Sequence, residues 1–280
     1  MESRLDIAAK IAEELEIKKW QVDAVIKLID EGNTIPFIAR YRKEAHGSLD
    51  DEQLRNLNER LTYLRNLEEK KAQVIASIEE QGKLTEELKA QIEQAQTQVV
   101  VDDLYRPYRP KRRTRATIAK EKGLEPLADI ILEQTTTEPI ENIAGDYISE
   151  EKEVNSAEDA VSGAKDIIAE IISDNADYRM YIRNITMQEG FLISNAKDEK
   201  AKSVYEMYYE FQEKLDKIVG HRILAINRGE KEKFLTVKIE APEERIIGYL
   251  KKKVLTNDNP NTNEILSETI EDSYKRLIAP

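Results

Sequence analysis

The sequence predicts a mainly α-helical, multihelical protein, and three observations carry that prediction. Apolar residues recur at three- and four-residue spacing through most of the chain, Ser residues repeatedly stand three places before an acid, and only two short stretches, near residues 190–195 and 232–239, suit strands. At the start, Ser3 with Asp6 reads as a capping box, and Ile7, Ala8, Ile11, Ala12 and Leu15 form one apolar stripe. A break at Glu16 and Ile17 leads to a second helix with Val22, Val25, Ile26 and Ile29 on one side and Gly32 at its end. This start is helix-turn-helix-like, but Glu16 stands where glycine often makes the turn and the second helix is poor in base-reading side chains, which favours plain helix packing.

Pro36 suits the first turn of a short helix, with Phe37, Ile38 and Tyr41 as its expected anchors in the core. Ser48 with Asp51 then opens a long helix whose seam runs through Leu54, Leu57, Leu61 and Leu64 to Val74, Ile75 and Ile78. Unbroken to Gln81, it would be roughly 50 Å long. Gly82 stops it, and further helices are expected near residues 85–96, 124–133, 139–148, from Ser156 (with Asp159) to Ile172, 205–219, 242–253 and 263–278. The strand-like pieces are FLIS after Gly190 and KFLTVKIE, in which Leu235, Val237 and Ile239 share a face. The expected division is a helical domain at residues 1–198 and a helical segment with a small β element at residues 199–280.

Composition narrows the chemistry. A chain of 280 residues with 40% hydrophobic content can bury a real core, which excludes a disordered acidic tail. With no cysteine, disulfides, thiolate nucleophiles and thiolate zinc sites are excluded, in keeping with a reducing compartment. No apolar run approaches ~20 residues, so the expectation is a cytoplasmic protein without a membrane partner. Phosphate-loop, dinucleotide-fold, HExxH and GxSxG signatures are all missing from the sequence. The Asp258–Asn259 region lacks the glycine and glutamate of a calcium loop. His221 is expected to be a hydrogen-bonded structural residue rather than a catalytic one. Neither an enzyme, a cofactor, a metal nor a small-molecule substrate is expected.

The distinctive feature is the run DDLYRPYRPKRRTRA at residues 102–116, six of whose side chains between Arg106 and Arg115 are Lys or Arg on a chain of net charge -12. Pro107 and Pro110 each fix φ and remove a backbone donor, which predicts an exposed or half-packed loop. Guanidinium forks suit phosphates and carboxylates alike, so two readings stand. In one, Arg106, Arg109, Lys111, Arg112, Arg113 and Arg115, with the nearby cluster Arg40, Arg42 and Lys43, bind RNA or DNA, Tyr105 and Tyr108 stacking beside them. In the other, the arginines, Arg106 and Arg109 above all, are internal clamps in a protein-interaction scaffold. The acid-rich stretch at residues 138–159 reads as a solvated face that could also pair with the loop.

Three runs, GNTIPFIARYRKE at residues 32–44, the basic run at 102–116 and GHRILAINRGEKE at 220–232, together resemble the N-terminal half of the bacterial Tex proteins. These are transcription accessory factors related in architecture to a eukaryotic transcription elongation factor. The resemblance spans nearly all of the chain and implies a scaffold of a transcription factor, with nucleic acid, RNA polymerase or other transcription proteins as partners. Family members continue with a YqgF/RuvC-like domain, helix-hairpin-helix modules and an OB-fold, so the resemblance also implies a fragment of a longer protein.

Overall fold

The computed structural model describes residues 6–280, and the chain divides after Tyr105 into two compact units. Ser3, expected to cap the first helix, lies outside the described residues. The cap is instead Asp6, whose carboxylate accepts the Ala9 N–H at 3.1 Å.

The first unit is helical among its described residues: α1 (Ile7–Glu14), α2 (Lys19–Asp30), α3 (Ile35–Tyr41), α4 (Lys43–His46), α5 (Asp51–Glu80), α6 (Glu86–Gln94) and α7 (Gln98–Tyr105). Glu16 makes the α1–α2 turn at φ 54°, the left-handed geometry for which glycine was the expected residue. Helix α5 is the axis. Its 30 residues span about 45 Å, and Leu54, Leu57, Leu61, Leu64, Leu67, Val74 and Ile78 are buried along one seam. Position 71 of that seam is a buried lysine, satisfied by Glu68 at 2.9 Å and the Glu93 carbonyl at 2.8 Å, so a charge fixes where α6 ends against α5. The cap of α5 is Asp50 with Gln53 rather than Ser48 with Asp51, because Ser48 is held at φ 60° in the preceding turn.

One helix expected further on is absent, and one that was not expected is present. The second unit comprises α8 (Arg115–Glu121), α9 (Glu125–Glu133), α10 (Ile140–Gly145), α11 (Ala157–Asp174), α12 (Ala176–Glu189), β1 (Phe191–Ala196), β2 (Glu210–Lys214), α13 (Gly220–Lys231), β3 (Leu235–Glu240), α14 (Glu243–Val254) and α15 (Asn263–Asp272), ending in a π-helical turn. Residues 205–219 are therefore a 3-10 turn and a strand where a helix was expected. Helix α13 is an element the helical spacing did not reveal. The strands form an antiparallel sheet of order β2-β1-β3, with Phe191 facing Lys214 on one side and Glu240 on the other. The expected domain boundary at residues 198 and 199 lies inside this unit, in the loop after β1.

Helix α11 is the hub of the second unit, packing on α8, α9, α10 and α15. Its small residues permit that closeness: Ala160, Ala164 and Ala169 are fully buried, and a Cβ on Gly163 would stand 2.3 Å from Leu124 Cδ1. Ser156 caps α11 through the Asp159 N–H, while the Asp159 carboxylate turns to the Asn155 N–H, so only half of the expected box forms. A smaller core of Leu192, Tyr205, Tyr208, Ile226 and Leu235 joins the sheet to α13. The loop at residues 255–262 is tied down by amides: Asn259 donates to the carbonyls of Gln134 and Thr136 at 3.0 and 2.9 Å.

Candidate nucleic-acid interface

The candidate cations divide between the two units. Those of the basic run belong to the second, and Arg40, Arg42 and Lys43 to the first.

The basic run is loop only at its centre. Asp102–Tyr105 completes α7, Arg115 and Ala116 open α8, and residues 106–114, holding both prolines, are non-helical. Thr114 ends the loop by accepting the Thr117 N–H at 3.1 Å, with Thr117 returning the bond to the Thr114 N–H at 2.7 Å. The loop is anchored on the C-terminal turn of α11. Asp174, the last residue of that helix and 8% exposed, accepts Arg106 Nε at 3.2 Å and Lys111 Nζ; Lys111 also reaches Glu170 at 3.2 Å, and Thr114 donates to Glu170 at 3.0 Å. Two carboxylates at the negative end of a helix are unfavourable by themselves, and the two cations offset both the dipole and the burial. Arg106 and Lys111 are thus clamps.

The other four face outward. Arg109 and Arg112 are exposed and pair with no carboxylate among the described residues. Arg113 meets Glu121 at 3.2 Å, but both side chains are mostly exposed, at 71% and 61%, and such a pair opens readily to a competing anion. Arg115 is exposed on the first turn of α8 and helps depress the Asp272 carboxyl, whose main partner is Arg276. Burial pushes the neighbouring Asp166 carboxyl up, against the pull of Arg276 and Arg115. Of the two sequence readings, the clamp reading names Arg106 and Arg109 above all, and the other has both binding nucleic acid. Geometry assigns it to Arg106 and Lys111, because the fork that closes on Asp174 comes from either side of the two prolines. Residues 138–159 supply none of the loop's partners among these pairs; Glu170, Asp174 and Glu121 do.

In the first unit, Ile38 alone anchors α3 in the core, and the Ile38 carbonyl meets the buried His46 Nε2 at 3.3 Å. Phe37 and Tyr41, expected as anchors, are 36% and 55% exposed, since residues one turn apart share a face and this face is the outer one. Their ring centroids are 5.2 Å apart, the Arg42 guanidinium lies 5.1 Å from the Phe37 ring, and Arg40 lies 6.0 Å from the Tyr41 ring. Neither arginine nor Lys43 has a carboxylate partner among the described residues. His221, expected to be bonded internally, is exposed on the first turn of α13 with no hydrogen bond among the described residues. No described helix is long and apolar enough to cross a membrane.

Comparison with known proteins leads to the family that the three runs resemble. A Bacillus subtilis (strain 168) protein named YdcI is 50% identical over 283 residues, which takes in 100% of this chain and 39% of that protein. The Neisseria gonorrhoeae transcriptional accessory protein Tex is 42% identical, over 84% of this chain and 31% of its own. The human S1 RNA-binding domain-containing protein 1 is 30% identical over 100% of this chain and 29% of its own length. The chain therefore spans well under half the length of these relatives. Residues 5–79 match the Tex-like protein N-terminal domain. Residues 134–276, about half of the chain, match the Tex central region-like domain, and with that the chain belongs to the Tex family.

Proposed function

We propose that this chain is the N-terminal scaffold of a transcription accessory factor and that its basic loop holds nucleic-acid phosphates. The observation that carries the reading is the division of labour in the loop: Arg106 and Lys111 fix its base on α11, while Arg109, Arg112, Arg113 and Arg115 project outward from a chain whose net charge is -12. Exposed, adjacent guanidinium groups repel one another, and a polyanion relieves that repulsion while releasing its own counterions. The names of the relatives, a transcriptional accessory protein and an S1 RNA-binding domain protein, support the same partner class. The chain acts by binding, not catalysis, as a cytoplasmic protein, with RNA polymerase or other transcription proteins as further partners.

The test is a titration with single-stranded RNA and duplex DNA across a salt series. Affinity should fall with slope about -0.7 per contact on single strands and -0.9 on duplex. Replacing Arg109, Arg112, Arg113 and Arg115 by Ala should weaken binding and flatten the slope by roughly one unit per lost contact, with little change in melting temperature. Binding untouched by these changes would leave the arginines with an architectural role only.

A further inference from the structure

We infer that α3 is a stacking platform for the unpaired bases of single-stranded nucleic acid, with Phe37 and Tyr41 as the stacking rings and Arg40, Arg42 and Lys43 as phosphate contacts. The inference deepens the proposed nucleic-acid role but rests on different residues in a different unit of the chain. Two aromatic rings one turn apart are left partly open to solvent, Phe37 at 36% and Tyr41 at 55% exposure, because Ile38 takes the buried place on this short helix. Their 47° tilt keeps them from stacking flat on each other at 5.2 Å between centroids. The guanidinium groups nearest them lie beside rings and meet no carboxylate among the described residues, whereas Arg65 of the same unit closes on Asp30, and Arg60 closes on Glu14 while also lying 5.0 Å from the Tyr63 ring.

That combination selects its ligand by chemistry. Ring faces take up flat π surfaces, and three cations with no carboxylate partner among the described residues at one helix end, Arg42 donating to the Tyr41 carbonyl at 3.1 Å, take up repeated negative charge. A nucleotide strand with free bases carries both at short intervals. A duplex offers the charge but buries the base faces, and an acidic peptide offers the charge without a regular succession of flat groups. Single-stranded RNA or DNA is therefore the occupant to which the face commits.

The experiment uses the 280-residue chain, a fluorescein-labelled 12-mer of oligothymidylate and a hairpin duplex of matched charge, read by anisotropy at low and moderate salt. Phe37→Ala with Tyr41→Ala should weaken oligothymidylate binding about tenfold or more and leave duplex affinity and the salt slope unchanged, because the rings carry no charge. Phe37→Trp with Tyr41→Trp should restore the binding, which a variant that merely perturbs the fold would not do. Unchanged oligothymidylate affinity in the Ala pair overturns the inference, as does an equal loss on single strand and duplex. The Ala substitutions at Arg109, Arg112, Arg113 and Arg115 separate the two ideas. If they weaken both ligands while the ring variants weaken neither, the loop reading stands and the platform falls; the reverse pattern sinks the loop and keeps the platform.

Discussion

The loop at residues 106–114 and helix α3 both gather cations on an acidic chain, yet only the loop hands some of them to carboxylates. The difference lies in what each stretch meets. The loop runs beside the C-terminal turn of α11, where Glu170 and Asp174 would otherwise be two poorly hydrated anions at the negative end of a helix dipole. Helix α3 meets the core through Ile38 and presents its arginines to aromatic rings. Arg106 and Lys111, beside a half-buried acid, are part of the fold, whereas Arg40 and Arg42, beside rings, meet no carboxylate among the described residues.

The largest expected effect breaks the clamp. Replacing Arg106 and Lys111 together by Ala leaves Asp174 buried and unpaired, and should cost about 3 kcal/mol in urea unfolding of the second unit. Asp174→Ala should cost less, about 1 kcal/mol, since the released cations are 43% and 24% exposed and can turn to water. A double cation variant no less stable than the parent would erase the contrast between loop and helix. Single changes at Arg112 or Arg42 to Ala should stay within about 0.5 kcal/mol by the same measurement.

The smallest effect is a pH dependence in the first unit. Hydrogen bonds from Arg60 and Arg65 hold the Glu14 and Asp30 carboxyls below their ordinary range. The folded state then binds fewer protons than the unfolded one, so this contribution is complete above about pH 4.5 and is lost as pH falls through the lowered values. Asp166 works in the opposite sense: burial raises its carboxyl, so its contribution declines as pH rises through the folded value. Glu14→Gln should make acid unfolding of the first unit less steep, and Asp166→Asn should leave that unit's curve unchanged.

Much of the frame is written along the chain because periodicity is local. The leucines of α5 recur at three and four residues, and Pro107 and Pro110 exclude a helix between α7 and α8. Elsewhere local signals pointed the wrong way. Tyr205, Tyr208 and Tyr209 have helical spacing, but β1 offers an open edge, and residues 210–214 pair with it instead. Helix α13 is masked by Gly220 and Gly229, both poor helix formers; Gly229 is required where a Cβ would come 2.6 Å from Leu235 Cδ1.

The sequence by itself determined that the chain is mainly helical, where its long helix runs, and that residues 106–114 are a cationic loop, since each follows from neighbours within one or two turns. Which cations the fold consumes was decided only by tertiary structure. Asp174 lies 63 residues from Lys111 and 68 from Arg106, and no local pattern records that meeting. Whether Ile38 or its aromatic neighbours enter the core was decided in the same way, by which face α3 turns toward α5, and that choice leaves the Phe37 and Tyr41 rings partly exposed beside Arg40 and Lys43, which face solvent, and a half-buried Arg42.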